Sequence, residues 1–552
     1  MDKRDSTYDR WTKDALIKRI QKLEANLLRA GEHKSEVAQE SITSTATEEG
    51  ATSPPTKKKV GRKIDPSKYS TRLVAFKLAY LGKRYGGFEY AASANLPSIE
   101  EELWKAFVKA CLIFPENPDE VNWDAWEYSK CGRTDRGVSA FGQVIAVRVR
   151  SNRPLPKKEQ LTEAGQVDEN GEAAELDAPV EEVEKKREFN DFTDELPYCR
   201  LLNKLLPPDI RMLAWCPTTP ADFSARHDCR ERQYRYFFTQ PAFAPIPQSF
   251  ENPDNPKKVK GGWLDIEAMR QAAKKFEGLH DFRNFCRVDQ SKININFERR
   301  VFESDIVEVK DAETALPFLD REEFRPSGMD LQEKLPKVYY LHVRGTAFLW
   351  HQIRCMVAVV FMVGQGLEEP SIVDKLLDFE AEPRRPNYQL ADEVPLVLWD
   401  CMFPRPEKPE NALKWVYVGE ESPLSQHGTG GLLNSMWEYW RERKMDELLA
   451  GQLLNIISSQ ADISLRKDPK APLHTPATTR TFEGGDRERL VGKYQPLLQK
   501  PRLPSPAEVF DREARRKGFA DAAEMREAWS KRREEAADNL PPKELSLEEG
   551  TE

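Results

Sequence analysis

The sequence predicts an α+β fold built on a mainly antiparallel sheet. Three observations carry that expectation. Strand-like and helix-like segments follow one another irregularly, without the β-α-β-α order of a parallel sheet. The segment QVIAVRVRS (143–151) sets Ile145, Val147 and Val149 against Arg148 and Arg150, the alternation of a half-buried strand with a basic outer face. Elsewhere apolar residues recur at helical spacing, as Leu103, Phe107 and Cys111 do.

The elements follow in order. Leu16, Ile20, Leu23 and Leu27 share one helix face, so residues 1–30 hold an amphipathic helix or short coiled coil. Residues 31–70 are polar and rich in Pro, Ser and Thr, and read as a disordered linker. Its run KKKVGRK (57–63), with Lys57, Lys58 and Lys59, suits a nuclear import signal, a phosphate-contacting arm or solvated linker. A core opens over 71–155 with the strand RLVAFKLAY (72–80). Ser98 and Glu101 form an S-x-x-E capping box for the helix IEEELWKAFVKACLI. Residues 156–195 carry 14 acidic and 5 basic side chains and read as an acidic, disordered insertion. The core resumes over 196–405. It holds a short helix near PYCRLLNKLL, strands at 210–216, 232–240, 299–308 and 337–344, helices over 265–276, from Phe348 and over 370–379, and a last strand at 396–403. Residues 406–552 form a helical, partly disordered extension, with helices at 431–457 and 505–536.

Composition narrows the function. The net charge of −8 at first argues against a polyanion partner. The insertion accounts for that deficit, however, and leaves a body near neutrality. The most apolar run, FLWHQIRCMVAVVFMVGQG (348–366), carries His351, Gln352 and Arg354 near its start, which suits a buried helix rather than a membrane span. MDKRDSTYDRW lacks the apolar core of a signal peptide. Cysteines at 111, 131, 199, 216, 229, 286, 355 and 401 form no CxxC pair, and the histidines no HxxH or HExxH, so no bound metal is expected. GxxxxGK[ST], GxSxG and GxGxxG are absent, which removes the motifs of P-loop, α/β-hydrolase and dinucleotide-binding proteins.

The strongest chemical candidate lies in CGRTDRGVSAFG (131–142). Asp135 stands between Arg133 and Arg136, with Gly132 and Gly137 outside them. Flanking guanidiniums stabilise the ionised carboxyl and lower its pKa, which leaves a nucleophile or base at neutral pH. The alternative is an Asp that caps its own turn beside two solvated arginines.

YSKCGRTDRGVSAFGQVIAV resembles the active-site segment of TruA-type tRNA pseudouridine synthases, whose hallmark is GRTDxGV followed by a strand. The likeness continues across roughly 72–405. LGKRYGGF (81–88) is similar to the family's first glycine-bearing loop, without its usual Asp. FSARHDCRERQYRYFF (223–238) resembles FSAR…RxYRY, with His227-Asp228 where a bulkier, less polar pair is usual. GLHDFRNFC (278–286) and GTAFLWHQIRCMV (345–357) resemble two further blocks. PPDIRMLAW, HDFRNFC, FMVGQG and PLVLWDC resemble the eukaryotic subgroup that modifies uridines 38 and 39 of the tRNA anticodon arm.

The resemblance implies a sheet with helices on one side, in two similar halves, and the isomerisation of uridine to pseudouridine without cofactor or metal. It assigns Asp135 as nucleophile or base, acting at the sugar C1′ or C2′, and Arg354 as the partner of that carboxylate. It assigns Arg133 to prising the nucleotide from its stack, Tyr234 to packing on the base, and Phe348 and His351 to the pocket. Tyr236 and His280 are expected to be structural. The implied partners are a tRNA anticodon stem-loop and a second copy of the chain, with no membrane. Candidates for RNA contact are Lys83, Arg84, Arg148 and Arg150, together with Lys57, Lys58 and Lys59, and the basic run suggests residence in nucleus and cytoplasm. A tRNA-binding protein without chemistry is the rival reading, which the set Arg133, Asp135, Tyr234 and Arg354 disfavours.

Overall fold

A computed structural model of the protein describes residues 64–155, 188–245, 247, 261–310, 316–328, 335–403, 413–420, 422–460 and 494–538. The expected N-terminal helix, the linker with Lys57, Lys58 and Lys59, and most of the acidic insertion lie outside these residues.

The strands are β1 (Ser70–Tyr80), β2 (Ser129–Lys130), β3 (Ser139–Ser151), β4 (Ile210–Cys216), β5 (Glu231–Gln240), β6 (Gly278–Asp281), β7 (Glu298–Val309), β8 (Lys337–Gly345), β9 (Leu396–Met402) and β10 (Val416–Tyr417). They form one sheet in the order β10-β4-β1-β3-β9-β5-β8-β7-β6, with β2 paired to β3. Every pairing is antiparallel except β3 with β9, which runs Ser139 to Val397 and Ala140 to Leu398. That short parallel seam joins two groups of strands, each with its own core. Leu73, Phe76, Val147 and Trp215 belong to the first core. Tyr236, Leu341, Val343 and Phe361 belong to the second.

Helix α1 (Ile99–Lys109) covers the first core, with Phe107 edge-on to Phe76 at 5.6 Å. Ser98 caps it, accepting from Glu101 N at 3.1 Å, while the Glu101 carboxylate turns instead to Lys105 at 2.8 Å. The helix ends four residues before the sequence pattern does. Cys111 adopts a left-handed φ of 53°, and Leu112 N donates to Phe107 O at 3.0 Å while Cys111 N donates to Val108 O at 2.9 Å, the two bonds of a Schellman stop. The short α2 (Tyr198–Asn203) precedes β4.

The second core holds α3 (Ile266–Lys274), α4 (Gln352–Gly364) and α5 (Ile372–Leu377). Every residue of α4 except Arg354 is buried, because it is covered on several sides. Phe361 packs on Tyr236 and Phe238 at 6.0 and 5.1 Å. Tyr494 donates to Glu368 Oε1 at 2.6 Å just beyond the helix end. Leu497 and Phe510 fill the same core.

Two expected boundaries need correction. Residues 494–538 are part of the second body rather than an appendage. Helix α8 (Pro506–Arg516) brings Phe510 and Ala514 into the core, and α9 (Ala522–Asp538) brings Met525. Gly518, at φ 89°, breaks what the sequence suggested was one helix. The far end of the insertion also belongs to the fold. Glu195 is buried, accepts from Ser151 Oγ at 2.6 Å and pairs with Arg72 at 3.0 Å. Between these regions lie α6 (Pro423–His427) and the 28-residue α7 (Leu432–Ser459). Helix α7 buries none of its residues and exposes Trp437, Trp440, Leu449, Leu453 and Ile457.

Candidate active site

The loop between β2 and β3 is held from both sides. Gln143, buried in β3, accepts from Gly132 N at 3.1 Å and donates to Gly132 O at 2.8 Å. Tyr80 bonds Thr134 through their hydroxyls at 2.7 Å, and Phe88 N donates to Thr134 O at 3.1 Å. Gly87, at φ 123°, brings the 81–88 loop so close that a Cβ would stand 3.0 Å from Thr134 O. The expected bend needs one of its two flanking glycines. Gly137 has φ 80° and packs on Glu393, whose Cγ would stand 2.6 Å from an added Cβ. At Gly132 a Cβ would meet only ordinary contacts, the nearest at 3.6 Å.

This clamped loop aims Asp135 into a cleft of about 560 Å³ between the two groups of strands. The opposite wall comes from the β8–α4 connection and from β5. His351 Nε2 stands 3.4 Å from Asp135 Oδ2. Its backbone is left-handed, φ 62°, as it enters α4, and its Nδ1 is buried without a hydrogen bond. Trp350 bonds the Asp135 carboxylate through its side chain. Tyr234 lies in β5 opposite Leu398, which itself pairs with Ala140 across the seam. It meets Phe348 edge-on at 5.3 Å. The structure therefore brings Asp135, Tyr234, Phe348, His351 and Arg354 to one cleft, with Arg133 at its exposed rim.

The electrostatics differ from the expectation in two respects. Burial raises the Asp135 carboxyl above its ordinary value, Arg354 and the Trp350 bond oppose that rise, and Glu393 adds to it. The flanking arginines do not reach it. Arg136 points to solvent, and Arg133 pairs with Glu89 at 3.1 Å. Arg354 acts on Asp135 through its charge, but its direct ion pair is with Glu393, at 2.8 Å, and its Nε donates to Ala391 O at 2.7 Å. A guanidinium inside an apolar helix needs a carboxylate, as expected; the nearest one lies in the segment before β9. His351 is held neutral, lowered to about 4 by burial and by Arg354, Arg287 and Arg385.

The expected RNA contacts on β3 also need correction. Arg150 is buried, with Nε on Cys111 O at 2.8 Å and its guanidinium 4.9 Å from the Tyr69 ring. Arg148 forks onto Glu127 at 2.7 and 2.8 Å. Arg84 pairs with Asp209 at 2.7 Å; Lys83 is exposed on the same turn, and neither lines the cleft. β3 lies mid-sheet with both faces covered, so its outer face is no basic surface. The cationic groups lie in the cleft instead. Seven Lys and Arg side chains line it against three carboxylates, among them Lys130, Arg226, Arg232 and Lys292. Tyr236 is core, and His280 bonds Glu277 O at 2.8 Å, as expected. His227 is exposed and Asp228 accepts from Ser224 N at 2.9 Å, so this polar pair sits in a turn without disturbing the core.

Two features had no signal in the sequence. Glu393 controls both Arg354 and the field at Asp135. Cys131, Cys229 and Cys401 meet behind the cleft, their Sγ atoms within 4.8 Å of one another.

An acid held on a rigid loop, a neutral imidazole beside it and a cationic cleft at the seam of a bipartite antiparallel sheet make a site suited to an enzyme with a polyanionic substrate. A family profile described as tRNA pseudouridine synthase matches residues 272–404. The chain is 36% identical to a Bos taurus protein over 75% of its own length and 70% of the relative's. It is also 36% identical to a Homo sapiens protein, over 75% and 69%, and 35% identical to one from Saccharomyces cerevisiae, over 73% of each. All three relatives are named tRNA pseudouridine(38/39) synthase. The chain belongs to the tRNA pseudouridine synthase family and is an isomerase.

Proposed function

We propose that this isomerase converts uridine to pseudouridine at position 38, position 39 or both in the anticodon arm of tRNA, with Asp135 as nucleophile or base. The carrying observation is the placement of Asp135 at the end of a clamped loop, in a cleft where cations outnumber carboxylates. The N1–C1′ bond breaks, the uracil turns, C5 bonds to C1′ and loses its proton, and N1 takes one up, so that atoms balance. Such a rearrangement needs a charged acid near the ribose and a surface on which the freed base can turn. Asp135 supplies the first; Tyr234 and Phe348 supply the second. Neutral His351 faces the carboxylate, with Nε2 3.4 Å from Asp135 Oδ2. Arg133, exposed at the rim, suits insertion in place of the extruded nucleotide, a step that costs about a few kcal/mol of stacking.

The reading includes a homodimer, supported by the apolar residues that α7 leaves in solvent. It also includes residence in nucleus and cytoplasm, resting on the basic run 57–63 and testable by imaging a tagged chain with and without it. The decisive experiment is site-resolved pseudouridine detection on unmodified tRNA. The wild-type chain should modify position 38 or 39, and Asp135→Ala should modify neither while binding the same tRNA within about threefold, since binding rests on phosphate contacts. Equal activity in that variant would remove Asp135 from the chemistry.

A further inference from the structure

Cys131, Cys229 and Cys401 come from three separate segments. Cys131 opens the Asp135 loop, Cys229 lies in the turn before β5, and Cys401 lies in β9, in register with Arg232. All three are buried, and they are the one group of potential metal ligands found among the described residues. The thiols are not isolated from the active site. Arg232 donates from Nη2 to Cys131 O at 3.0 Å, and both Cys131 and Arg232 line the cleft.

We infer that these three thiolates bind a zinc ion that ties the Asp135 loop to the second group of strands. Zinc takes sulfur at about 2.3 Å in a tetrahedron, which sets its sulfur ligands about 3.8 Å apart. The trio already falls within 4.8 Å, so shifts of about an ångström complete three corners. A disulfide would use two of the sulfurs and leave the third over. Charge also favours the ion. Three thiolates and one divalent cation carry a single negative charge, and the Arg232 guanidinium, which donates to Cys131 O, stands beside the trio to balance it. Cys131 lines the cleft, which gives the ion a path from solvent. Binding releases the thiol protons to solvent, so affinity rises with pH.

The site would act through position rather than chemistry. Cys131 stands at the start of the loop that carries Asp135, whereas Cys229 precedes β5, which carries Tyr234, and Cys401 lies in β9, which meets β3. An ion there fixes the distance between the acid and the surface on which the base turns.

The test uses the full chain, purified under reducing conditions and titrated with zinc chloride or cobalt chloride. The expected result is about one zinc per chain by elemental mass spectrometry, with a thiolate-to-cobalt charge-transfer band after substitution. Cys229→Ser and Cys401→Ser should each reduce bound zinc to below about a tenth of an equivalent and abolish the band. Should those variants fold poorly, the wild-type chain answers alone. Stripping zinc with a chelator should make the thiols at 131, 229 and 401 newly reactive in alkylation mapping, and added zinc should protect them again. No metal and no cobalt band, a disulfide between two of the three, or alkylation indifferent to zinc would each overturn the inference. Pseudouridine formation is not the readout, so the result stands apart from the assignment of Asp135.

Discussion

The two groups of strands differ in what they give the cleft. The first, with β1, β3 and β4, contributes one acid on a loop held by backbone and buried side chains. The second, with β5, β8, β9 and α4, contributes the groups that tune that acid, Arg354, Trp350 and Glu393, and sets His351 and Tyr234 in the same cleft. Their cores differ as well. The first is closed by α1 and α2, with Leu398 and Cys401 of β9 and Val416 of β10. The second is completed by residues far along the chain, including Leu497, Phe510 and Met525. Rigidity and tuning are thus divided between the halves, and the family profile, over 272–404, falls within the tuning half.

This division predicts a graded series. Asp135→Asn should lower turnover by at least about 10⁴-fold, whereas Arg354→Lys, which keeps the charge but loses the fork, should lower it by about 10- to 100-fold. Equal losses in single-turnover assays would erase the distinction between reacting and positioning groups. Phe510→Ala should cost about 3–5 kcal/mol in denaturant unfolding, because it empties space in the second core. A cost near zero would return residues 494–538 to the status of an appendage.

His351 gives a smaller, pH-dependent effect. Its value in the fold is about 4 against an ordinary 6.5. Between those limits the unfolded chain takes up a proton that the folded chain refuses. The contribution is therefore complete above pH 6.5 and is lost as pH falls toward 4, by up to about 3 kcal/mol. His351→Gln should flatten stability over that window; an unchanged slope would contradict the burial argument. The smallest effect concerns Glu393. The acid limb of kcat/KM should lie above the ordinary carboxylate value, because Asp135 is raised and must ionise to act. Glu393→Gln should move that limb to lower pH by less than about one unit, since it removes a negative charge and releases Arg354 toward Asp135. A limb that moves upward would reverse the assigned role.

Much of this was readable in the sequence, for local reasons. The strand expected at 210–216 has those limits, the one expected at 337–344 ends one residue later, at Gly345, and the Asp135 loop follows from its crowded charges. What was not readable depends on pairing at long range. Arg150 belongs to an alternating strand, yet burial depends on which neighbours cover that strand, and Cys111 O closes over it. Arg354 clearly required a carboxylate, but nothing local distinguished Glu393 from Asp135. The cysteines form no CxxC because the fold, rather than the chain, makes them neighbours.

The seam between β3 and β9 sets an order of events during synthesis. β3 emerges from the ribosome early, and one of its edges is completed only when residues 396–402 follow. At about 5–20 residues per second, the stretch at Ser139 and Ala140 waits roughly ten to fifty seconds for its partner, while β2 already pairs with Ile145 and Ala146. A nascent chain in this state should be open to chaperones and to pairing with the wrong strand, and the vulnerability ends when β9 closes the seam.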